Sequence, residues 1–139
     1  TQCAEGRVYG AFMDLGIQTN EHMPLTYTLS KNAETGKKNM YIYDINNGEF
    51  IRLRGVDFDN GAKKFSITAA TTGSCKVTLR LDGLNGPVVG EAVISNTGSV
   101  EKYKAFNAKV SNASGVHDLY LCFSDTEGDT RLDWWQFKK

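Results

Sequence analysis

From Glu49 to Lys138 the chain alternates apolar and polar residues with a period of two. In Glu49-Phe50-Ile51-Arg52-Leu53-Arg54, Ile51 and Leu53 share one side. In Lys64-Phe65-Ser66-Ile67-Thr68-Ala69, Phe65, Ile67 and Ala69 do the same, and Lys76-Val77-Thr78-Leu79-Arg80-Leu81-Asp82 repeats the pattern. This periodicity predicts half-buried strands. Further strands are predicted over 88–94, 102–110, 116–124 and 131–138. Asn46-Asn47-Gly48, Asp59-Asn60-Gly61, Asn85-Gly86-Pro87 and Glu127-Gly128-Asp129 separate them, and such residues suit the positive-φ positions of tight turns. Helical periodicity is weak, with one short helical turn expected within 6–14. Residues 18–38 read as a long loop carrying a strand at 26–30. Many short strands spaced by turns predict an all-β sandwich or barrel.

The length of 139 residues suits one domain over 1–139, long enough to bury a core without staples. Sixteen basic residues balance sixteen acidic ones, so no global field draws the chain to phosphate backbones, and nucleic acid is not an expected partner. No apolar run reaches the roughly 18 residues of a membrane span. The opening Thr1-Gln2-Cys3-Ala4-Glu5 reads like an excised module or a mature start. The three cysteines, Cys3, Cys75 and Cys122, form no disulfide framework and lack metal-ligand spacing. Cys122, inside an apolar run, is expected to be a buried small hydrophobe. Cys3 and Cys75 could pair, though an unpaired state is favoured.

Catalytic chemistry is hard to find. Glycosidic hydrolysis usually needs two facing carboxylates, and no Asp or Glu stands in such a setting. Of the two histidines, His117 at a strand entry reads as structural and His22 has no evident partner. There is no Walker loop and no GxGxxG. Aromatic residues, 11% of the chain, carry the positive signal. Most are expected in the core. Tyr41 and Tyr43 fall on the same side of one strand. Phe50 falls opposite Ile51 and Leu53, beside Arg52 and Arg54. A ring flanked by polar side chains suits the apolar face and hydroxyl edge of a sugar, but the same position also suits the second face of a curved sheet.

Four segments together resemble family 6 carbohydrate-binding modules. Gly48-Glu49-Phe50-Ile51-Arg52-Leu53-Arg54-Gly55-Val56-Asp57-Phe58 is similar to that family's G-D-Y-I stretch ending in G-V-D-F. Leu79-Arg80-Leu81-Asp82 with Gly86-Pro87-Val88-Val89-Gly90 resembles its L-R-L-D and G-P segments. Gly115-Val116-His117-Asp118-Leu119-Tyr120-Leu121 matches its G-V-H-D-L-Y-L, and Leu132-Asp133-Trp134-Trp135-Gln136-Phe137 its closing D-W type. The agreement runs from Asn39 to the end. The resemblance implies a jelly-roll β-sandwich, a non-catalytic role, and two sugar sites. One lies in loops at an edge and uses a Tyr before the G-D-Y strand, a Trp in a T-G-G-W loop and an Asn before the closing D-W. The other lies on a sheet face near the aromatic of G-D-Y, here Phe50 with Arg52 beside it.

The chain departs from that pattern at the edge site. Val100 stands where the Trp is expected and Arg131 where the Asn is. Tyr41, Tyr43 or Asp44 could align with the Tyr. Losing a stacking ring weakens binding by about 1–3 kcal/mol, by analogy with base stacking, or roughly 10- to 100-fold. Arg131 could pair with an acidic sugar or with Asp125, Glu127 or Asp129. The resemblance also implies one structural calcium ion held by Glu5 and Asp133, with Cys3 where a further acid belongs. A thiol does not suit calcium, and Asp133 could instead form a salt bridge or cap a turn. The expected partners are a xylan- or arabinoxylan-type polysaccharide or related β-glycan and a covalently attached glycoside hydrolase, with the isolated module a monomer. The expected location is extracellular, at the cell surface or periplasmic, as part of the larger enzyme. The alternative is a degenerate module packed on a catalytic domain.

Overall fold

The computed structural model describes residues 45–139 throughout and, ahead of them, the backbone of five short strands: β1 (Gln2–Cys3), β2 (Val8–Tyr9), β3 (Ile17–Thr19), β4 (Thr28–Lys31) and β5 (Lys38–Tyr41). Seven longer strands follow: β6 (Phe50–Asp57), β7 (Ala62–Thr71), β8 (Ser74–Leu81), β9 (Val88–Ser95), β10 (Lys104–Ala113), β11 (Val116–Glu127) and β12 (Thr130–Lys138). All seven answer to strands expected from the alternation, most of them longer by a few residues. Among the described residues there is no helix. Residues 8 and 9, where a helical turn was expected, pair as a strand with Trp135 and Trp134 instead. Backbone pairing to a sheet edge overrides the weak helical pattern there. The strand expected at 26–30 runs over 28–31 instead, paired with β5.

The strands form a two-layer β-sandwich. One sheet runs β1-β6-β11-β8-β9, with β3 also on β6, and the other runs β10-β7-β12-β2. Alternation assigns each side chain to a face. Ile51 and Leu53, Val77 and Leu79, and Leu121 and Phe123 point inward from the first sheet, and Phe65, Ile67, Trp135 and Phe137 meet them from the second. Phe137 ties the layers, with its ring 5.1 Å from Phe58 edge-on and 4.9 Å from Phe65. Cys75 belongs to this core and is unpaired. Cys122 departs from the expectation of burial. Its neighbours Leu121 and Phe123 take the inward positions, so period two turns its thiol to the outer face, where it is half-buried.

The two ends of the sandwich differ. At one end Gly55 N–H and Asp118 N–H donate to the carboxylates of Asp118 and Asp82, at 3.0 and 3.2 Å. His117 bridges Asp82 Oδ2 and the Ser114 carbonyl, each at 2.8 Å. His117 is therefore a structural clasp between the β8 and β11 ends. At the other end lie the loops 46–49, 71–74, 95–103 and 124–130.

Candidate functional site

The outer face of the first sheet brings together residues far apart in sequence. Cross-strand register sets Phe50 beside Cys122, Thr78 and Glu91 in one row, and Arg52 beside Tyr120, Arg80 and Val88 in the next. The Phe50 and Tyr120 rings lie 5.9 Å apart and tilted, within the usual range of an aromatic pair. Arg52 Nη1 donates a long 3.5 Å bond to Tyr120 Oη, while its Nε is buried with no hydrogen-bond partner among the described residues. A guanidinium offers five N–H donors, so Arg52 holds hydrogen-bonding capacity beside two rings. Two neighbouring cations on this face are committed. Arg80 Nη1 donates to the Gly86 carbonyl at 2.8 Å, and Lys76 pairs with Glu91 at 2.7 Å. Of the expected sheet-face residues, Phe50 and Arg52 are thus brought together. Tyr120 was not singled out from the sequence. Its position between inward Leu119 and Leu121 was the signal that it faces outward.

The loop end is held by threonines. Thr97 N–H donates to the Thr71 carbonyl at 2.9 Å, and Thr71 N–H donates to Thr97 Oγ1 at 3.0 Å. Thr130 Oγ1 donates to Thr71 Oγ1 at 3.0 Å. This lattice docks the 96–102 loop, with Val100, on the end of the β7–β12 pair, where Arg131 lies opposite Ala70. Val100 and Arg131 are both half-buried. Thr126 N–H donates to Asn47 Oδ1 at 2.8 Å, which joins the 46–48 turn to the same end. Glu49 is buried there, with Oε1 accepting from Asn46 N–H at 2.7 Å. Tyr41 closes β5, but its side chain, like Tyr43 and Asp44, lies outside the described residues.

Asp133 sits at an irregularity in β12 between Leu132 and Trp134 and is buried. Burial suits a metal ligand, but calcium takes six to eight oxygens. Among the described residues no three His, Cys, Asp or Glu side chains group to hold a metal. A coordination shell around Asp133 would need the Glu5 segment, which lies outside them.

A two-layer sandwich that turns a half-buried Phe50, a buried Tyr120 and Arg52 to the outer side of one sheet has the jelly-roll architecture found among lectin domains. The family model for carbohydrate binding modules of family 6 matches residues 24–139, and the chain belongs to that family. It is 34% identical over 102 residues to an arabinoxylan arabinofuranohydrolase of Paenibacillus polymyxa, covering 71% of this chain and 16% of that protein. It is 33% identical over 95 residues to endo-1,4-beta-xylanase A of Thermoclostridium stercorarium, covering 68% of this chain and 18% of that protein. The chain thus spans under a fifth of either relative. A glycoside hydrolase family 43 arabinoxylan arabinofuranohydrolase from Bacillus subtilis, solved with cellotetraose, superposes at a TM-score of 0.81 with 26% identity, over 100% of this chain and 28% of that one. A family 6 module from Clostridium stercorarium, solved with cellobiose, gives 0.81 with 24% identity, over 100% and 97% of the two chains.

Proposed function

We propose that this module binds a neutral β-linked plant cell-wall polysaccharide of the xylan or arabinoxylan type on the outer face of its first sheet, and so holds an attached glycoside hydrolase on its substrate without catalysing a reaction itself. One observation carries the reading: Phe50, Tyr120 and Arg52 form a ring-and-donor group with a buried donor unmet among the described residues. The half-buried Phe50 ring, with buried Tyr120 packed beside it, takes the apolar C–H face of a sugar, and the guanidinium takes its hydroxyls. The loop end is the weaker site, because Val100 cannot stack. The names of the relatives, which include arabinoxylan- and xylan-degrading enzymes, support the choice of polymer and the attachment to a hydrolase.

Affinity electrophoresis in xylan, arabinoxylan and β-1,3-glucan gels tests this. Retardation is expected in one of them, and Phe50→Ala should weaken it about 10-fold or more, the scale of one lost stacking ring. Retardation that survives both Phe50→Ala and Arg52→Ala would remove the sheet face from consideration. Calcium belongs to the same proposal as a structural ion at Asp133. Added calcium should raise the melting temperature of the module but not of Asp133→Asn, and an unchanged melting temperature would dismiss it.

A second reading has its own observation. Val88 and Val93 on edge strand β9 are 44% and 63% exposed, beside the same sheet face, and would suit packing on a neighbouring catalytic domain. No retardation in any gel would favour that reading.

A further inference from the structure

Three lysines stand in one row on the outer face of the second sheet. Lys64 on β7 lies opposite Lys109 on β10 and opposite Lys138 on β12. All three are exposed. Neighbouring strands are about 4.8 Å apart, so the lysine backbones repeat on that pitch. Like charges directly opposite across a sheet are destabilising, and the strands do nothing to offset them. β7 and β10 contain no Asp or Glu, and the single acid of β12, Asp133, is buried. At the adjoining turn, the Asp59 carboxylate is taken by Lys139 at 2.8 Å. In a chain with no net charge, this face concentrates positive charge. The next row along the same strands is Asn107, Ser66 and Gln136. Lys64, Lys109, Lys138, Ser66 and Asn107, with Ala108, line a shallow concavity of about 530 Å³.

We propose that this concavity is a second binding surface, distinct from the Phe50 face, and that it takes a uronate-bearing acidic polysaccharide. The carboxylates pair with Lys64, Lys109 and Lys138, and the sugar hydroxyls meet Ser66 and Asn107. Three positive charges along one row favour a polymer that carries several carboxylates over a lone anion. Among the described residues no aromatic side chain lines the concavity, so they offer no stacking platform of the kind single-stranded nucleic acid uses. Because the two faces lie on opposite outer sides of the sandwich, a neutral and an acidic polymer can be held at once.

The test is affinity electrophoresis of the 139-residue chain in gels of polygalacturonate at low ionic strength. The chain should be retarded, and raised salt should abolish the effect, because exposed charge pairs are screened. In Lys64→Gln/Lys109→Gln the affinity should fall about fivefold per lysine, the upper scale of an exposed ion pair. Its melting temperature should equal or exceed that of the parent, since a like-charge contact is relieved, and Lys109→Gln alone supplies the readout should the double variant not fold. Three results would each overturn the proposal: no retardation by polygalacturonate, equal retardation of parent and variant, or equally strong retardation of the parent by single-stranded DNA. A failure to bind neutral xylan would touch only the Phe50 face, so the two readings fail separately.

Discussion

Two cysteines show what one step along a strand does to a side chain. Cys75 faces the core, and burial, with a smaller push from the Asp125 carboxylate, raises its thiol from the ordinary 9.0 to about 12. Cys122 faces outward beside Phe50 and Thr78, and burial raises its thiol too, with the Arg80 charge pulling the other way. The thiolate is the nucleophile, so both should react slowly near neutrality and faster as pH rises, with Cys122 ahead. The fold holds the Cys75 proton more tightly than the unfolded chain does. Stability on its account is complete below pH 9.0 and falls as pH climbs from there toward about 12. In a Cys3→Ser background, iodoacetamide at mildly alkaline pH should label Cys122 first and leave Cys75 intact until the protein unfolds. A xylo-oligosaccharide seated on Phe50 should slow the reaction of Cys122 beside it. Unchanged labelling under saturating, binding oligosaccharide would place the sugar elsewhere.

At the scale of the element, much of the family-like wording, though not Gly48-Glu49-Phe50 or Leu132-Asp133-Trp134, falls at the end of the strands away from Val100 and Arg131. Asp57, Asp82, Gly86 and His117 belong to the end where Asp82, Asp118 and His117 clasp β8 to β11 and to the end of β6. Those residues are framework, which explains why the fold was legible in the sequence: the alternation named the strands, and the turn residues named their limits. The loop end was less legible. Its geometry rests on threonine hydrogen bonds, Thr97 to the Thr71 backbone and the Thr130 hydroxyl to the Thr71 hydroxyl, separated by up to 59 residues, and no local pattern announces such pairings. Tyr120 escaped notice for a related reason, since an aromatic in an apolar run reads as core until its neighbours are assigned to faces. The tightest joint at the loop end is Gly73. A Cβ there would sit 2.0 Å from the Glu127 carbonyl oxygen and 2.5 Å from its carbon. These are backbone atoms of the neighbouring hairpin and cannot rotate away. Gly73→Ala should therefore lower stability by about 1–3 kcal/mol, the range for forced overpacking, and should part the 71–74 and 124–130 turns. Thermal unfolding measures the first effect. An unchanged midpoint would mean that the two turns can separate freely.

On the scale of the molecule, the sandwich presents two opposed sheet faces and one loop end, and the sequence equips them unequally. The first sheet has rings and a guanidinium, and the second has a lysine row. The loop end has a rigid threonine lattice carrying Val100 where the family pattern places a ring. If that end is silent only because it lacks a stacking surface, restoring the ring should restore a site, because the Thr97 bonds that set the loop are independent of residue 100. Val100→Trp is then expected to strengthen binding of short xylo-oligosaccharides about 10- to 100-fold, the value of one stacked ring. Polymeric xylan should gain more than the oligosaccharide does. One long chain could engage the sheet face and the loop end of the same molecule, and the second engagement then occurs at high effective concentration. Calorimetry with oligosaccharide and polymer in parallel separates the two contributions. An equal gain on both ligands would show a single reinforced site. No gain on either, with the fold intact by thermal unfolding, would show that the loop end lacks more than a ring, leaving the sheet face as the working surface.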